Sequence, residues 1–288
     1  MSLVGWSFVG PFAVVFVAFL AAPLVYAFWL SLNTRTLTRG VVFTGFDNYA
    51  RAFTDPAFLD GVLWVFGFSA VLIPVQMLVS LAAALVIDAL ATRIAGFSRL
   101  MIFIPYAIPV VIGALMWGFL YSPRFGPIAE IGAMFGVDAP YLLDSEWLFF
   151  GLMNIVTWQW AGYYMIIIYA ALQGIDPSLY EAAKLDGANG WQIALRVKVP
   201  MISSAMVLIL VFALIGTLQF FTEPQVLRSI AQGSINASFT PNMYAFSLAF
   251  SYDQINYASA ISFALGLFVV VGSYLFMFFN RKRSGLDS

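Results

Sequence analysis

The sequence predicts an all-α integral membrane protein that crosses the bilayer six times. Of its 288 residues, 62% are hydrophobic and 9% are charged, whereas soluble domains carry about 25% charged residues. The apolar residues fall into six runs, each close to the roughly 20 residues that an α-helix needs to cross the hydrocarbon core. We therefore expect a single transmembrane domain over residues 1–288, with a polar loop at residues 175–200 inside it.

The predicted spans contain no Asp, Glu, Lys or Arg, in keeping with the cost of placing a charge at the bilayer centre. The first apolar run is too long for a secretory signal and lacks a basic leader, so we expect it to be a membrane helix. Pro74, Pro105 and Pro109 should kink spans two and three, because proline removes a backbone hydrogen bond. The predicted spans are residues 7–30, 61–86, 100–121, 148–172, 201–221 and 257–279.

The distribution of basic residues predicts the orientation of the chain. An even number of spans places both termini on one side, and the positive-inside rule assigns that side to the cytoplasm. Eight basic residues then lie inside and five outside, although Arg35, Arg39 and Arg51 in the first outer loop run against the rule. The polar loop at 175–200 is therefore predicted to be cytoplasmic. The eight inner residues are Arg93, Arg99, Lys184, Arg196, Lys198, Arg281, Lys282 and Arg283.

Several kinds of chemistry are excluded by the residue inventory. The chain contains no cysteine and no histidine, which excludes disulfides, thiolate metal sites, haem ligation by histidine and a Ser-His-Asp triad. It also lacks a Gly-x-x-x-x-Gly-Lys-Ser/Thr sequence, so it cannot hold nucleotide phosphates by the P-loop route. We expect no catalytic residue, no metal site, no cofactor bound by this chain and no nucleic-acid partner.

The polar loop has the pattern of two short helices joined at a glycine. Asp176 can cap the first helix, Pro177 can begin it, and Gly187 can end it. A second helix is predicted at about residues 191–197, before Pro200. The loop has too little apolar surface to fold alone, so we expect it to dock into another protein. The helical repeat of the first segment is carried by Leu179, Ala182, Ala183 and Asp186.

A Glu-Ala-Ala triplet, a following glycine and an apolar-x-apolar-Pro ending make this loop resemble the E-A-A loop of ATP-binding-cassette (ABC) importer permeases. One departure is Ala194, where carbohydrate permeases commonly carry a bulky aromatic residue; Trp191 or Leu195 would then fill the partner's pocket. The resemblance implies that the loop couples the chain to an ATPase. The predicted coupling residues are Glu181, Ala182, Ala183, Asp186, Gly187, Ala188 and Pro200, and Val197 and Val199 match in register.

Segments elsewhere resemble the carbohydrate-uptake branch of these permeases. They are residues 43–49, Ile104 with Pro105, Pro109, Ala249 with Phe250, and residues 257–260. The resemblance implies the type I importer permease (MetI-like) fold with cytoplasmic coupling helices, in a bacterial cytoplasmic (inner) membrane. It also implies a second homologous permease, two ATP-binding cassette subunits that hold ATP and Mg²⁺, and an extracytoplasmic solute-binding (lipo)protein.

Neutral polar and aromatic residues at membrane depth predict the substrate path. Sugars have many hydroxyls and apolar ring faces, so they suit amides and hydroxyls beside aromatic rings. Trp158, Tyr163 and Thr217 resemble, by position, the sugar-contacting sites of maltose-type permeases, whereas Gln159 and Trp160 match in position but differ in type. Aromatic residues at this spacing also pack between helices, and amides also join them. The predicted path residues are Gln76, Asn154, Trp158, Gln159, Tyr163, Thr217 and Gln219.

The most consistent function is that of a permease subunit of an ATP-driven importer, moving a carbohydrate or carbohydrate derivative by alternating access. The solute would be a disaccharide, an oligosaccharide or a glycerophosphodiester. An ion-coupled secondary transporter is the first alternative, disfavoured because no acidic residue lies within a predicted span. A passive channel is the second, and it leaves the polar loop without a purpose. Glu223 is expected to lie at a solvated helix end.

Overall fold

The computed structural model describes residues 3–36, 40–90 and 92–280. The basic tail at residues 281–283 and Arg39, used above to orient the chain, lie outside these ranges. The residue contacts divide the chain into two units: Met1–Trp64 with Ala237–Val271, and Val65–Asn236 with Gly272–Ser288. Two long helices, α4 (Pro56–Asp88) and α15 (Ile255–Asn280), belong partly to each unit.

The first unit combines apolar helices with a small β-hairpin. The antiparallel hairpin, in which Asn33 pairs with Phe43, was not predicted and is an exception to the all-α expectation. The buried amide of Asn48 holds it to the preceding helix by donating to the carbonyl oxygens of Ser31 and Asn33, both at 2.9 Å. Besides α4 and α15, the elements are α1 (Leu3–Phe16), a π-helical turn (Val17–Ala21), α2 (Ala22–Ser31), β1 (Asn33–Thr36), β2 (Gly40–Phe43), α3 (Asp47–Ala52) and α14 (Pro241–Phe250).

All regular secondary-structure elements in the described part of the second unit are helices. Its core is formed by large apolar side chains that are almost completely buried, among them Ile87, Met165, Ile168, Leu172 and Ile209. The elements, besides parts of α4 and α15, are α5 (Thr92–Ala107), α6 (Val110–Leu120), α7 (Pro127–Met134), α8 (Leu148–Gln173), α9 (Pro177–Leu185), α10 (Gly190–Ile193), a π-helical segment (Ala194–Lys198), α11 (Val199–Met201), α12 (Ser203–Leu218) and α13 (Thr222–Leu227).

Five helical segments in the described ranges are long and apolar enough to cross a membrane. The predicted third span is instead a bent pair, Ile94–Ala107 and Val110–Leu120, at an angle of 96°. The predicted count of six holds when this pair is taken as one span. The five segments are Ser7–Ser31, Pro56–Ala89, Leu148–Gln173, Ser203–Leu227 and Ile255–Gly272.

The break in the third span has a local cause. Pro109 has no N–H and lies in an extended conformation, with φ −54° and ψ 134°, and a proline also moves the residue before it out of the helical region. The carbonyl oxygen of Ile108, left without a helical partner, accepts a hydrogen bond of 2.8 Å from Nε2 of Gln159 on α8. Pro74, by contrast, lies within α4 without ending it.

Close contact between α5 and α8 depends on one glycine. A Cβ atom at Gly162 would overlap the carbonyl oxygen of Ile102. Helices approach this closely in membranes where small residues line the interface. Gly162 therefore sets the distance between the helices that carry the aromatic residues of the cavity described below.

Candidate functional site

A cavity of about 420 Å³ lies in the second unit, between α4, α5, α8, α12 and α13. Its volume is within the range of about 300–1,000 Å³ typical of small-molecule sites, and its lining is mostly apolar with a few polar groups. The polar and aromatic residues of the lining are Gln76, Tyr106, Trp160, Tyr163, Tyr164, Phe212, Thr217, Gln219, Phe220, Phe221, Thr222 and Glu223.

Three aromatic rings form one wall of the cavity. Tyr106 stacks on Tyr163 with ring centroids 4.6 Å apart, and Trp160 meets Tyr106 edge-on at 5.4 Å. Such pairs are stabilised by about 0.5–1.5 kcal/mol beyond the area they bury. The wall is therefore a firm apolar surface against which the face of a sugar ring can pack.

Neutral polar groups lie on other parts of the lining. The buried Gln76 donates from Nε2 to the carbonyl oxygen of Val156 at 3.2 Å. The hydroxyl of Thr217 donates to the carbonyl oxygen of Ala213 at 2.7 Å, which leaves its lone pairs available as acceptors. Gln219, just beyond the end of α12, is exposed. Hydroxyls of a solute would find both donors and acceptors here.

The structure brings together four of the predicted path residues, Gln76, Tyr163, Thr217 and Gln219, and places three outside the lining. Asn154 donates to the hydroxyl of Tyr121 at 2.6 Å. Trp158 packs edge-on against Trp117 at 5.7 Å. Nε2 of Gln159 donates to the carbonyl oxygen of Ile108 at the break in the third span. Its Oε1 is buried without a hydrogen-bond partner. Contact of any of the seven with a solute stays a prediction.

The lining also contains Tyr106, Trp160 and Glu223, which are not among the predicted path residues, although Trp160 had been noted for its position. The expectation that Glu223 is solvated is wrong, because the residue is only 7% exposed. The apolar segment Ser203–Leu227, which corresponds to the fifth predicted span, also runs beyond the predicted end at residue 221 and so contains Glu223. The signal for this was Pro224, since proline prefers the first turn of a helix and here it marks the start of α13.

The polar loop begins as the sequence predicts. Asp176 is the N-cap of α9, and its Oδ1 accepts from the backbone N–H of Ser178 at 2.9 Å, with Pro177 as the first helical residue. This hydrogen bond lowers the pKa of Asp176, which lies exposed at the helix start. The loop therefore leaves α8 through a well-defined helix start.

The glycine at the end of α9 has the predicted role. Gly187 has φ +84°, a conformation that side chains with a Cβ rarely adopt. The N–H of Ala188 donates to the carbonyl oxygen of Ala183 at 2.9 Å, and the N–H of Gly187 to that of Lys184 at 3.0 Å. This pair of bonds is a Schellman motif, which satisfies carbonyl groups at the helix end and turns the chain.

The second half of the loop has a cap that the sequence reasoning did not identify. Asn189 and Gln192 form a reciprocal capping box, with hydrogen bonds of 2.8 and 2.9 Å, at the start of α10. The Asn-x-x-Gln spacing was the available signal. Helical structure then continues through the π-helical segment and α11, which contains Pro200.

One face of the loop carries uncovered apolar side chains beside the predicted coupling residues. Leu185 is 90% exposed and Trp191 72% exposed. Glu181, Ala182 and Asp186 are exposed as well. Apolar side chains this exposed in a polar loop indicate a docking surface.

The other face of the loop is tied to the membrane helices. Lys198 forms an ion pair with Asp88 at the end of α4, and both side chains are largely buried. Asp88 also accepts from Nε2 of Gln173, at the end of α8, at 2.8 Å. The ammonium of Lys198 lies 4.8 Å from the ring centroid of Tyr180 on α9. The loop is thus joined to two apolar helices through one charge cluster.

Apolar membrane-length helices around a small cavity, together with a capped loop that exposes apolar side chains, are typical of a membrane transport subunit. A family model described as "Binding-protein-dependent transport system inner membrane component" matches residues 76–282. Because this match covers most of the chain, the protein belongs to that family.

Individual relatives agree with this assignment. The chain is 30% identical to the lactose transport system permease protein LacF of Rhizobium radiobacter, covering 97% of this chain and 94% of the relative. It is 27% identical to the diacetylchitobiose uptake system permease protein NgcF of Streptomyces coelicolor, covering 97% and 82%. It is 29% identical to the sn-glycerol-3-phosphate transport system permease protein UgpA of Salmonella choleraesuis, covering 91% and 89%.

The fold also matches a solved structure. A chain of a bacterial alginate ABC transporter, in complex with an alginate pentasaccharide-bound periplasmic protein, superposes with a TM-score of 0.80 at 21% identity, covering 98% of this chain and 95% of that one. The predicted helical permease fold is therefore confirmed. The chain is an inner-membrane permease component of an ABC importer. Membership of this family decides against an ion-coupled transporter and a passive channel. The absence of acidic residues from the spans is no longer an argument against the ion-coupled transporter, because the buried Glu223 lies within an apolar segment.

Proposed function

We propose that this chain carries a carbohydrate or carbohydrate derivative across the bacterial inner membrane through the cavity between α4, α5, α8, α12 and α13. The observation that carries the proposal is the stacked Tyr106–Tyr163 pair beside neutral amides and hydroxyls, an arrangement suited to sugar rings and their hydroxyls. Relatives named for lactose and diacetylchitobiose support a disaccharide or oligosaccharide. The relative named for sn-glycerol-3-phosphate, a phosphate monoester of glycerol, is the reason to keep a glycerophosphodiester as the other candidate.

The partners follow from the exposed loop and the family. The docking surface around Leu185 and Trp191 is suited to an ATP-binding cassette subunit, and Glu181 would pair with a basic residue there. We expect two such subunits, which hold ATP and Mg²⁺, together with a second homologous permease and an extracytoplasmic solute-binding protein. In this assembly the present chain binds no cofactor and catalyses no reaction. Both of its termini lie in the cytoplasm, as the positive-inside rule predicts.

The charge cluster at the loop supplies a route for coupling. Closure of the ATPase subunits displaces α9, and Lys198 and Tyr180 move with it. The ion pair to Asp88 and the hydrogen bond between Asp88 and Gln173 pass this displacement to α4 and α8. Both helices line the cavity, so its opening alternates between the two sides of the membrane.

A comparison of two tryptophans on α8 tests the proposed path. Trp160 lines the cavity and Trp158 does not, so Trp160→Ala should reduce uptake more than Trp158→Ala. Loss of one ring contact worth about 1 kcal/mol corresponds to roughly a fivefold slower uptake. The measurement is ATP-dependent uptake of lactose, maltose and chitobiose by cells that express the complete transporter, with basal ATPase activity as the check on assembly. Equal uptake by Trp160→Ala, Tyr163→Ala and the wild type would show that the path lies elsewhere.

A further inference from the structure

Glu223 places a carboxyl group in a cavity whose other described lining residues carry no ionisable acidic or basic group of the Asp, Glu, Lys or Arg type. Its side chain is 7% exposed and belongs to the lining, and every other lining residue of the described chain is uncharged. The ion pairs recorded in the described ranges join Arg35 to Asp253 and Lys198 to Asp88, and neither includes Glu223. The carboxyl group is therefore not neutralised by a basic side chain of the described residues.

This placement has different consequences for different solutes. When the carboxyl group of Glu223 is ionised, a phosphate or carboxylate entering the cavity must either share the space with a like charge or force a proton onto one of the two groups, and both cost free energy. A neutral sugar meets no such cost, and its hydroxyls can donate to the carboxylate. An ammonium group gains a charge-assisted hydrogen bond, which is about twice as strong as a neutral one.

We propose that Glu223 is ionised when the cavity is open to water, and that it is a specificity-determining residue that makes the cavity accept neutral and amino-bearing sugars and reject anionic ones. The inference rests on the proposed function and narrows it. Of the solutes named there, a disaccharide or oligosaccharide without acidic groups fits the cavity, and a glycerophosphodiester does not, because it carries a phosphate.

The lack of cysteine in the chain allows the charge of the cavity to be measured without knowing the solute. A single cysteine is introduced by Gln219→Cys, at a lining position beside α13. In the purified complete transporter, its rate of reaction is measured with a cationic reagent, ethyltrimethylammonium methanethiosulfonate, and with an anionic one, ethylsulfonate methanethiosulfonate. The modification is read from the mass of this chain, and each rate is divided by the rate with free 2-mercaptoethanol.

The normalised ratio of the cationic rate to the anionic rate should be about ten in Gln219→Cys, and adding Glu223→Gln should bring it close to one. Glu223→Asp keeps the charge and should keep the ratio. Glu130→Gln, which removes an exposed carboxylate on α7, is the matched control and should also leave the ratio unchanged. A ratio near one in Gln219→Cys alone would overturn the proposal, and this result requires no substitution of Glu223. A ratio that Glu223→Gln does not change would overturn it as well.

Uptake measurements separate this inference from the proposed function. Cells that express the complete transporter are given lactose, chitosan disaccharide, glucuronate and glycerol 3-phosphate. Uptake of lactose or the chitosan disaccharide but not of the two anions supports the inference. Uptake of an anion as fast as that of lactose overturns it and leaves carbohydrate import standing. If none of the four is taken up while the labelling ratio behaves as expected, the proposed solute class fails and the electrostatic selection by Glu223 stands.

Discussion

A single carboxylate, that of Asp55, joins α14 and α15 to the start of α4 in the first unit. The hydroxyls of Tyr244 and Tyr257 both donate to its Oδ2 at 2.7 Å, and the guanidinium of Arg51 lies 3.8 Å from the centroid of the Tyr257 ring. Burial raises the pKa of Asp55, but the hydrogen bonds from the two tyrosines and from nearby backbone N–H groups outweigh it, so the pKa lies below its usual value. The ionised form is therefore favoured by folding.

Replacing Asp55 by Asn should destabilise the protein at neutral pH. The amide is a weaker acceptor than the carboxylate, so we expect a loss of about 1 kcal/mol, or a midpoint lowered by roughly 2–4 °C. Because the folded-state pKa is depressed, the contribution is fully present above the unfolded pKa of about 3.9 and is lost as the pH falls through the folded-state value.

Thermal unfolding of the solubilised transporter, followed from pH 7 to below pH 4, measures this effect. The difference between wild type and Asp55→Asn should shrink at the acidic end. Asp60→Asn, at an exposed position nearby on α4, should unfold like the wild type at both pH values. A difference that persists unchanged below pH 4 would mean that the charge of Asp55 is not its source.

The loop of α9 and α10 shows how a short element can be specified by local sequence alone. Its caps at Asp176 and Asn189 and its stop at Gly187 use residues within a few positions of the helix ends. Such bonds depend little on distant parts of the chain. The local sequence was therefore sufficient to predict where α9 begins and ends.

Gly187→Ala should weaken coupling between ATP hydrolysis and transport. An alanine at φ +84° is strained by about 1–2 kcal/mol, which disturbs the turn between α9 and α10. We expect a several-fold lower amount of solute imported per ATP hydrolysed by the complete transporter. Gly187→Asn should retain more coupling, because asparagine tolerates this conformation better.

Gly190→Ala is the matched control for this substitution. Gly190 is in the same loop and has open space around it, but its φ is not positive. The control should therefore couple like the wild type. If Gly187→Ala also couples normally, the positive φ is not needed for the action of the loop.

The arrangement of the whole chain across the membrane is testable because it has no cysteine of its own. The proposed orientation, with both termini in the cytoplasm, requires Asp138 to face the outside and Leu185 the inside, and both residues are exposed. A cysteine at residue 138 should react with an impermeant maleimide in intact spheroplasts. A cysteine at residue 185 should react only after permeabilisation, and the reverse pattern would require the opposite orientation.

The membrane segments, the helical type of fold and the two short helices of the polar loop could be derived from the sequence by itself. The hydrocarbon core imposes a fixed length and polarity on each span, so a run of apolar residues identifies one without knowledge of its neighbours. The caps of α9 obey equally local rules. The tertiary contacts were not needed for any of these.

Only the tertiary structure decided which residues share the cavity. Trp158 and Trp160 lie two positions apart, which corresponds to about 200° of rotation around α8, so they point to nearly opposite sides of the helix. The sequence does not show which of the two faces the cavity. The new helix at Thr222 interrupts the helical repeat, so Glu223 could not be placed by extending α12. Tyr106 lies within α5 and reaches the cavity only through the packing of α5 against α8. Packing between distant segments brings these side chains together, and hydropathy does not record such packing.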